Sequence, residues 1–232
     1  MNPASGLFVT GTDTGIGKTL VSCGLLLAAR QAGLRPVGMK PVASGAEQNA
    51  EGEWRNEDAE ALRQWSATPQ PDYALINPCV FPAPIAPQLA AADLGRTIEL
   101  APIRAAYEAL QFGASAVLVE GVGGWCVPLS DHLMQADLVR ALRVPVVLVV
   151  GIRLGCISHA ILSERAIVAD GLPLLGWIAN RVDPHCLVPD RVIASLDEEM
   201  DCPRLADIPF GASVHAAARA LQGSVPKLFA NA

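Results

Sequence analysis

Charge is scarce in this chain. Asp, Glu, Lys and Arg together make up 17% of its 232 residues, and the 17 basic residues nowhere gather into a run or stripe. Without such a patch there is no electrostatic footprint for nucleic acid or for an anionic membrane. Long apolar runs are missing as well. Hydrophobic residues reach 51% and the mean hydropathy is +0.34. The apolar stretches, such as Val144 to Val150, are nevertheless strand-sized, and a membrane-spanning helix needs roughly 20 residues. Met1 to Leu7 holds no basic segment followed by a long apolar one, so a secretory leader is not expected. The six cysteines are scattered without a C-x-x-C pair, which favours small buried residues in a reducing compartment over a disulfide framework. His132, His159, His185 and His215 lack metal-ligand spacing, and neither a repeat nor a low-complexity tract is evident. These absences leave a globular chain with enough apolar residues for a large core, expected in the cytoplasm.

What is present is alternation. Strand-like apolar runs cover Leu7–Thr10, Val37–Pro41, Ala116–Glu120, Val144–Gly151 and Leu174–Asn180, with a weaker one at Arg204–Ile208. Their continuous apolarity suits strands covered on both faces. Helical patterns lie between them, over Lys18–Ala32, Glu57–Trp65, Pro102–Phe112, Gln135–Leu142, Ser158–Ala169 and Pro189–Met200. Gly33 and Gly171 read as helix stops. The Pro-rich stretch from Ala67 to Asp93 reads as an irregular covering loop. The alternation predicts one α/β domain of residues 1–232 with a mostly parallel sheet and helices on both faces, and the glycine-rich Gly11–Thr19 segment after the first strand makes the expected fold P-loop NTPase-like. In such sheets ligands sit at the carboxyl ends of the strands.

The strongest motif falls at such an end. Gly11-Thr12-Asp13-Thr14-Gly15-Ile16-Gly17-Lys18-Thr19 follows an apolar strand and opens a helix, with Gly11 one residue further from Gly17 than in the usual phosphate-loop spacing. Glycines let backbone N–H groups converge on phosphate oxygens, and the helix N-terminus favours the anion. Lys18 is expected to reach the outer phosphates and the Thr19 hydroxyl to ligate Mg²⁺. Glu120 ends a buried strand and is followed by Gly121, Gly123 and Gly124. A carboxylate there is costly unless it meets a cation. Lys40 ends another strand beside the loop, where a second ammonium would stabilise charge during phosphoryl transfer. Asn56-Glu57-Asp58 reads, on spacing alone, as a helix cap and first turn rather than a metal ligand.

Several segments carry a family resemblance. These are the phosphate loop, Lys40-Pro41-Val42-Ala43-Ser44-Gly45, Val119-Glu120-Gly121-Val122-Gly123-Gly124-Trp125, Pro128-Leu129-Ser130-Asp131 and Leu154-Gly155-Cys156-Ile157-Ser158-His159-Ala160. In that order they resemble the dethiobiotin synthetases. The resemblance implies Mg-ATP-driven ring closure of 7,8-diaminononanoate with CO₂ or bicarbonate. Lys40, Lys18 and Thr14 would form the catalytic set. The loop from Gly15, Ile16 and Gly17 through Lys18, Thr19 and Leu20 would hold the nucleotide, together with Gly121, Val122 and Gly123. Asn180 would read the adenine edge, with Arg181, Ile208, Pro209 and Phe210 nearby. Thr19, Asp58 and Glu120 would hold Mg²⁺. Lys40 and Ser44 would meet the diamine and its carbamate. Leu154, Gly155, Cys156, Ile157 and Ser158 would receive the carboxylate tail of a substrate bound mainly by the other subunit of a homodimer. On the residues alone, that last segment is equally a Ser158 helix cap.

A second class weighs against this one: nucleotide-switched ATPases of the partition or metallochaperone type. Those carry an extra lysine before the loop glycines, where this chain has Asp13.

Overall fold

The computed structural model describes residues 5–229. Six strands form one sheet: β1 (Ser5–Gly11), β2 (Pro36–Met39), β3 (Ala116–Glu120), β4 (Val146–Ile152), β5 (Leu174–Arg181) and β6 (Arg204–Ile208). Their order across the sheet is β6-β5-β4-β1-β3-β2, and every pairing is parallel. Parallel pairing requires a crossover between neighbours. Helices provide it: α1 (Lys18–Gln31), α2 (Glu57–Trp65), α3 (Tyr73–Ile76), α4 (Pro87–Ala92), α5 (Leu100–Gln111), α6 (Gln135–Leu142), α7 (Cys156–Ala169) and α8 (Pro189–Glu199); α9 (Val214–Leu221) follows the last strand.

Both faces of the sheet are buried, which accounts for the unbroken apolar runs. Leu7 and Val9 of β1 join Val147 and Val149 of β4 in a core beneath α1 and α9. Phe8, Leu148 and Val150 point the other way, into the core under α5, α6 and α7. The two-residue period of each strand thus feeds two hydrophobic layers. Among the described residues no helix is long and apolar enough to cross a membrane.

Two sequence expectations need correction, and one helix was not expected. The 67–93 stretch is not irregular: it contains α3, a short strand at Cys79–Phe81 that pairs in parallel with Val42–Ser44, and α4. Turn chemistry hid these pieces: Asp72 caps α3 by accepting from the Ala74 N–H, and Pro87 opens α4. The helix expected from Ser158 starts at Cys156 and is capped by Gly155 at φ +90, so Ser158 is not its cap. Helix α9 had no counterpart in the sequence reading. Gly33 (φ +86) and Gly171 (φ +73) do close α1 and α7 in the left-handed region.

The register gathers the chemistry. Val9 pairs with Glu120, Met39 with Val119, Gly151 with Asn180, and Asn180 with Ile208. The phosphate loop, Lys40, Glu120 and Asn180 therefore leave the sheet along one edge.

Candidate active site

Along that edge lies a cavity of about 780 Å³. Its floor is the loop between β1 and α1. Gly15 (φ +72) and Gly17 (φ +81) are both left-handed, and a Cβ on Gly17 would come within 2.2 Å of Asn180 Nδ2. That close approach explains why the loop needs glycine there. Asn180 Nδ2 donates to the Ile16 carbonyl at 2.7 Å, tying the end of β5 to the loop. Lys18 Nζ folds back to donate to the Asp13 carbonyl at 2.8 Å. Burial, followed by repulsion from Lys40, pushes the Lys18 ammonium down to about 8, against the attraction of Glu120, Asp58 and Asp13.

The wall opposite is a charge cluster. Glu120, at the end of β3, has no solvent exposure. Lys40 Nζ, equally buried, donates to Glu120 Oε1 at 2.6 Å and to Asp58 Oδ2 at 2.8 Å, with the Gly121 carbonyl at 3.4 Å. Desolvation alone would favour the neutral amine, but Glu120 and Asp58 together hold the Lys40 ammonium above the ordinary lysine range. Asp58 is likewise opposed by desolvation, and Lys40, Thr19 and Lys18 together keep its carboxyl below the usual range. Thr19 Oγ1 lies 2.7 Å from Asp58 Oδ1 and 3.0 Å from Glu120 Oε1. A hydroxyl has one proton to donate, so it can satisfy only one of them at a time. Glu120 Oε2 is buried and accepts no hydrogen bond.

Asp58 is therefore more than a first-turn acid. The side chain of Asn56 does cap α2, accepting from the Asp58 and Ala59 N–H groups at 3.1 and 3.3 Å. The same cap aims Asp58 at Lys40 and Thr19. Thr14, Ser44 and Gly123 also line the cavity, as do Val122 and the turn Pro84-Ile85-Ala86-Pro87.

Other expected residues stand apart from the cavity wall. Leu20 faces the core under α1. Gly121 abuts Phe8, whose ring a Cβ would meet at 2.8 Å. Ile208 is buried at the end of β6, with Pro209 and Phe210 exposed just beyond it. Arg181 is turned away: it donates to Asp207 at 2.9 and 2.7 Å and to Asp190 at 2.6 Å. Leu154 and Gly155 form the turn into α7, and Cys156 to Ser158 are its first residues. Arg153, just before that turn, donates to Asp13 Oδ2 at 2.5 Å and so joins it to the phosphate loop.

Sequence reasoning missed one supporting residue of this wall. Gln135 Oε1 accepts from the Val122 N–H at 2.9 Å while its Nε2 donates to the Gly124 carbonyl at 2.8 Å, pinning the glycine loop after Glu120. Its sequence position, first in a helix, carries no signal of this task.

Comparison with known proteins agrees with the geometry. A family described as "AAA domain" matches residues 5–218. The ATP-dependent dethiobiotin synthetase BioD of Xanthomonas euvesicatoria pv. vesicatoria (strain 85-10) is 56% identical over 220 residues, which is 95% of this chain and 97% of that protein. The chain belongs to the dethiobiotin synthetase family. The BioD protein of Xylella fastidiosa (strain 9a5c) is 54% identical over 88% of this chain and 90% of its own. Among solved structures, the MinD cell division protein of Aquifex aeolicus superposes with a TM-score of 0.58 at 12% identity, over 99% of this chain and 98% of its own. The chloroplast FtsY of Physcomitrella patens reaches 0.52 at 16% identity, covering 97% of this chain and 66% of its own. These two likenesses concern the fold alone. They confirm the α/β P-loop architecture of this synthetase-family chain, and the relatives above confirm the family that the motifs pointed to.

Proposed function

We propose that the protein is an ATP-dependent dethiobiotin synthetase, which carboxylates 7,8-diaminononanoate and closes its ureido ring. The observation that carries this reading is the joining of Lys40, Asp58, Glu120 and Thr19 at the mouth of a phosphate loop, with Ser44 on the same wall.

One amine of the substrate takes up CO₂, losing a proton and becoming a carbamate. A carbamate oxygen attacks the γ-phosphorus of ATP and ADP leaves, giving a mixed carbamic–phosphoric anhydride. The second amine attacks the carbonyl carbon and gives up a proton, the C–O bond breaks, and phosphate departs. None of the three steps needs a covalent enzyme intermediate. The chain's part is positioning and charge. Lys18 exchanges its Asp13 carbonyl for phosphate oxygens, and the N–H groups of Gly15 to Thr19 converge on the same anion. Lys40 stands where the carbamate oxygen and the γ-phosphate approach each other, and its ammonium offsets the charge shared between them. Thr14 and Ser44 offer hydroxyls in the same cavity.

The residues present fit a magnesium ion. Glu120 Oε2 is a buried carboxylate oxygen without a partner, and a cation removes the cost of leaving it so. Among the described residues no three His, Cys, Asp or Glu side chains gather into a metal cluster. Two carboxylates and the Thr19 hydroxyl suit an ion that keeps waters and takes phosphate oxygens as its other ligands. Thr19, Asp58 and Glu120 would hold it, and when bound it would neutralise charge on the outer phosphates.

Asn180, with Ile208, Pro209 and Phe210 near it, supports a base site at the end of β5. The exposed turn at Leu154, itself 97% exposed, and the apolar side chains of Leu162 and Leu187 support a homodimer in which Leu154 to Ser158 receive the partner's substrate tail. A nucleotide switch finds less support: Asp13, at the position of the extra switch lysine, is engaged by Arg153.

Phosphate release from Mg-ATP with bicarbonate, run with and without 7,8-diaminononanoate while dethiobiotin is followed by mass, tests the reading. Diamine-dependent release matched by dethiobiotin is expected. Hydrolysis indifferent to the diamine would sink it in favour of the switch.

A further inference from the structure

Neither Tyr73 nor Asn77 reaches the cavity, yet both are buried beside it. The Tyr73 hydroxyl accepts from the Asn56 backbone N–H at 2.8 Å and donates to Asn77 Oδ1 at 3.0 Å. Asn77 Nδ2 donates in turn to the Lys40 carbonyl at 2.7 Å. The Lys40 N–H donates to the Ile76 carbonyl at 2.8 Å, so both backbone groups of Lys40 are held by the short segment around α3. At the other end of the relay, Asn56 caps α2 and orients Asp58 two residues later. The side chains of Lys40 and Asp58 then meet at 2.8 Å.

Lys40 leaves an edge strand of the sheet, and Asp58 starts a helix reached by a separate excursion of the chain. β2 and α2 pack together through Gly38, Leu62 and Ser66, near the C-terminal end of α2; Asp58 lies at the other end of that helix. From this juxtaposition we infer that Tyr73 and Asn77 are positioning residues for the reaction: a buried two-side-chain relay that sets Lys40 and the Asp58 cap in one frame. Each of the four polar groups in the relay has its partner within it, and buried networks of this kind are rigid when complete and costly when broken. The Arg55 guanidinium lies 4.0 Å over the Tyr73 ring and helps to hold it in place. The relay itself makes no bond to the phosphate loop; Thr19 of that loop meets Asp58 at 2.7 Å, so the relay reaches the loop only through Asp58, whereas the alignment of Lys40 and Asp58 depends on it directly.

The inference rests on the synthetase reading, and wild-type turnover measured alongside checks that reading separately. Tyr73→Phe in the full-length protein keeps the ring and removes only the hydroxyl. Steady-state turnover with ATP, bicarbonate and 7,8-diaminononanoate should show kcat lowered by about 10- to 100-fold, the cost of a sub-ångström to ångström misplacement. The KM for ATP should stay within about threefold, since Lys18 and the backbone N–H groups of the phosphate loop lie outside the relay. The Mg²⁺ concentration for half-maximal rate should rise, because Asp58 is released from its frame. Asn77→Ser, which breaks the link to the Lys40 carbonyl, should give the same split and serves if Tyr73→Phe is too unstable to assay. A lowered melting temperature with unchanged kcat and Mg²⁺ dependence would overturn the inference, because it marks a purely structural role. So would equal changes in kcat and the ATP KM, or loss of the fold in both variants.

Discussion

Lys18 and Lys40 are both buried ammonium groups at the edge of one sheet, but their surroundings set them different tasks. Lys18 donates to a backbone carbonyl of its own loop, a partner that an incoming phosphate readily replaces. Lys40 is clasped by two carboxylates. Lys40→Ala should therefore lower kcat by about 100-fold or more while nucleotide affinity measured by titration changes little, as expected for a group used mainly in the transition state. Glu120→Gln keeps the shape of the side chain and removes its charge; the Mg²⁺ titration of activity should shift to higher concentration, by about tenfold for each ~1.4 kcal/mol of lost ligand energy. Gln135→Leu should leave the Val122 N–H and Gly124 carbonyl without side-chain partners, at about 1–3 kcal/mol, and loosen the glycine loop. Its signature is a lower midpoint in chemical denaturation together with reduced turnover. At this scale the sequence was informative where chemistry is local. Gly17, Lys18 and Thr19 are consecutive and readable as a unit. Asp58 reads alone as a capping-turn acid, because the lysine it meets lies 18 residues earlier on another element. Gln135, Tyr73 and Asn77 act only through contacts made by the fold, which no spacing encodes.

The elements that were legible are those buried on both faces. β3 and β4 are continuous apolar runs and lie in the interior of the sheet. The segment after α2 escaped because its pieces are short and serve an edge. β2 is the last strand on its side, and its free backbone groups are met by that segment: Gly38 N–H donates to Ser66 Oγ at 2.9 Å and the Ala67 N–H donates to the Pro36 carbonyl at 2.8 Å. Such cover keeps an edge strand from pairing with other chains. Ser66→Ala would leave the Gly38 N–H buried without a partner, since Ser66 is itself fully buried. A loss of about 1–3 kcal/mol is expected, read as a shift in the urea midpoint at unchanged slope. The start of α7 shows the same limit: Gly155, rather than the polar Ser158, makes the turn, because a left-handed backbone is needed there.

For the molecule as a whole, parallel pairing sends every strand out at one end, and this is why residues from Thr14 to Asn180 line or support a single site. The sheet order was not readable in the sequence, since β1 lies between β4 and β3, neither of them its neighbour along the chain. The direction of the strands was readable, and with it the side on which chemistry had to lie. The other face of that end carries the exposed turn at Leu154, where a second copy of the chain is proposed to sit. Leu154→Asp should raise the dissociation concentration of the dimer in sedimentation, tenfold for each ~1.4 kcal/mol removed, without lowering the melting temperature of the monomer. One last consequence comes from the clasp on Lys40. Like an exchange resin supplied in its salt form, the acidic pair is already loaded with a counter-ion of its own. A divalent ion held there would take up the open Glu120 Oε2 and would compete with the Lys40 ammonium for the oxygens that it already holds. Lys40→Met should on this account take up Mn²⁺ without nucleotide more tightly than the native protein does, a difference that electron paramagnetic resonance reads directly.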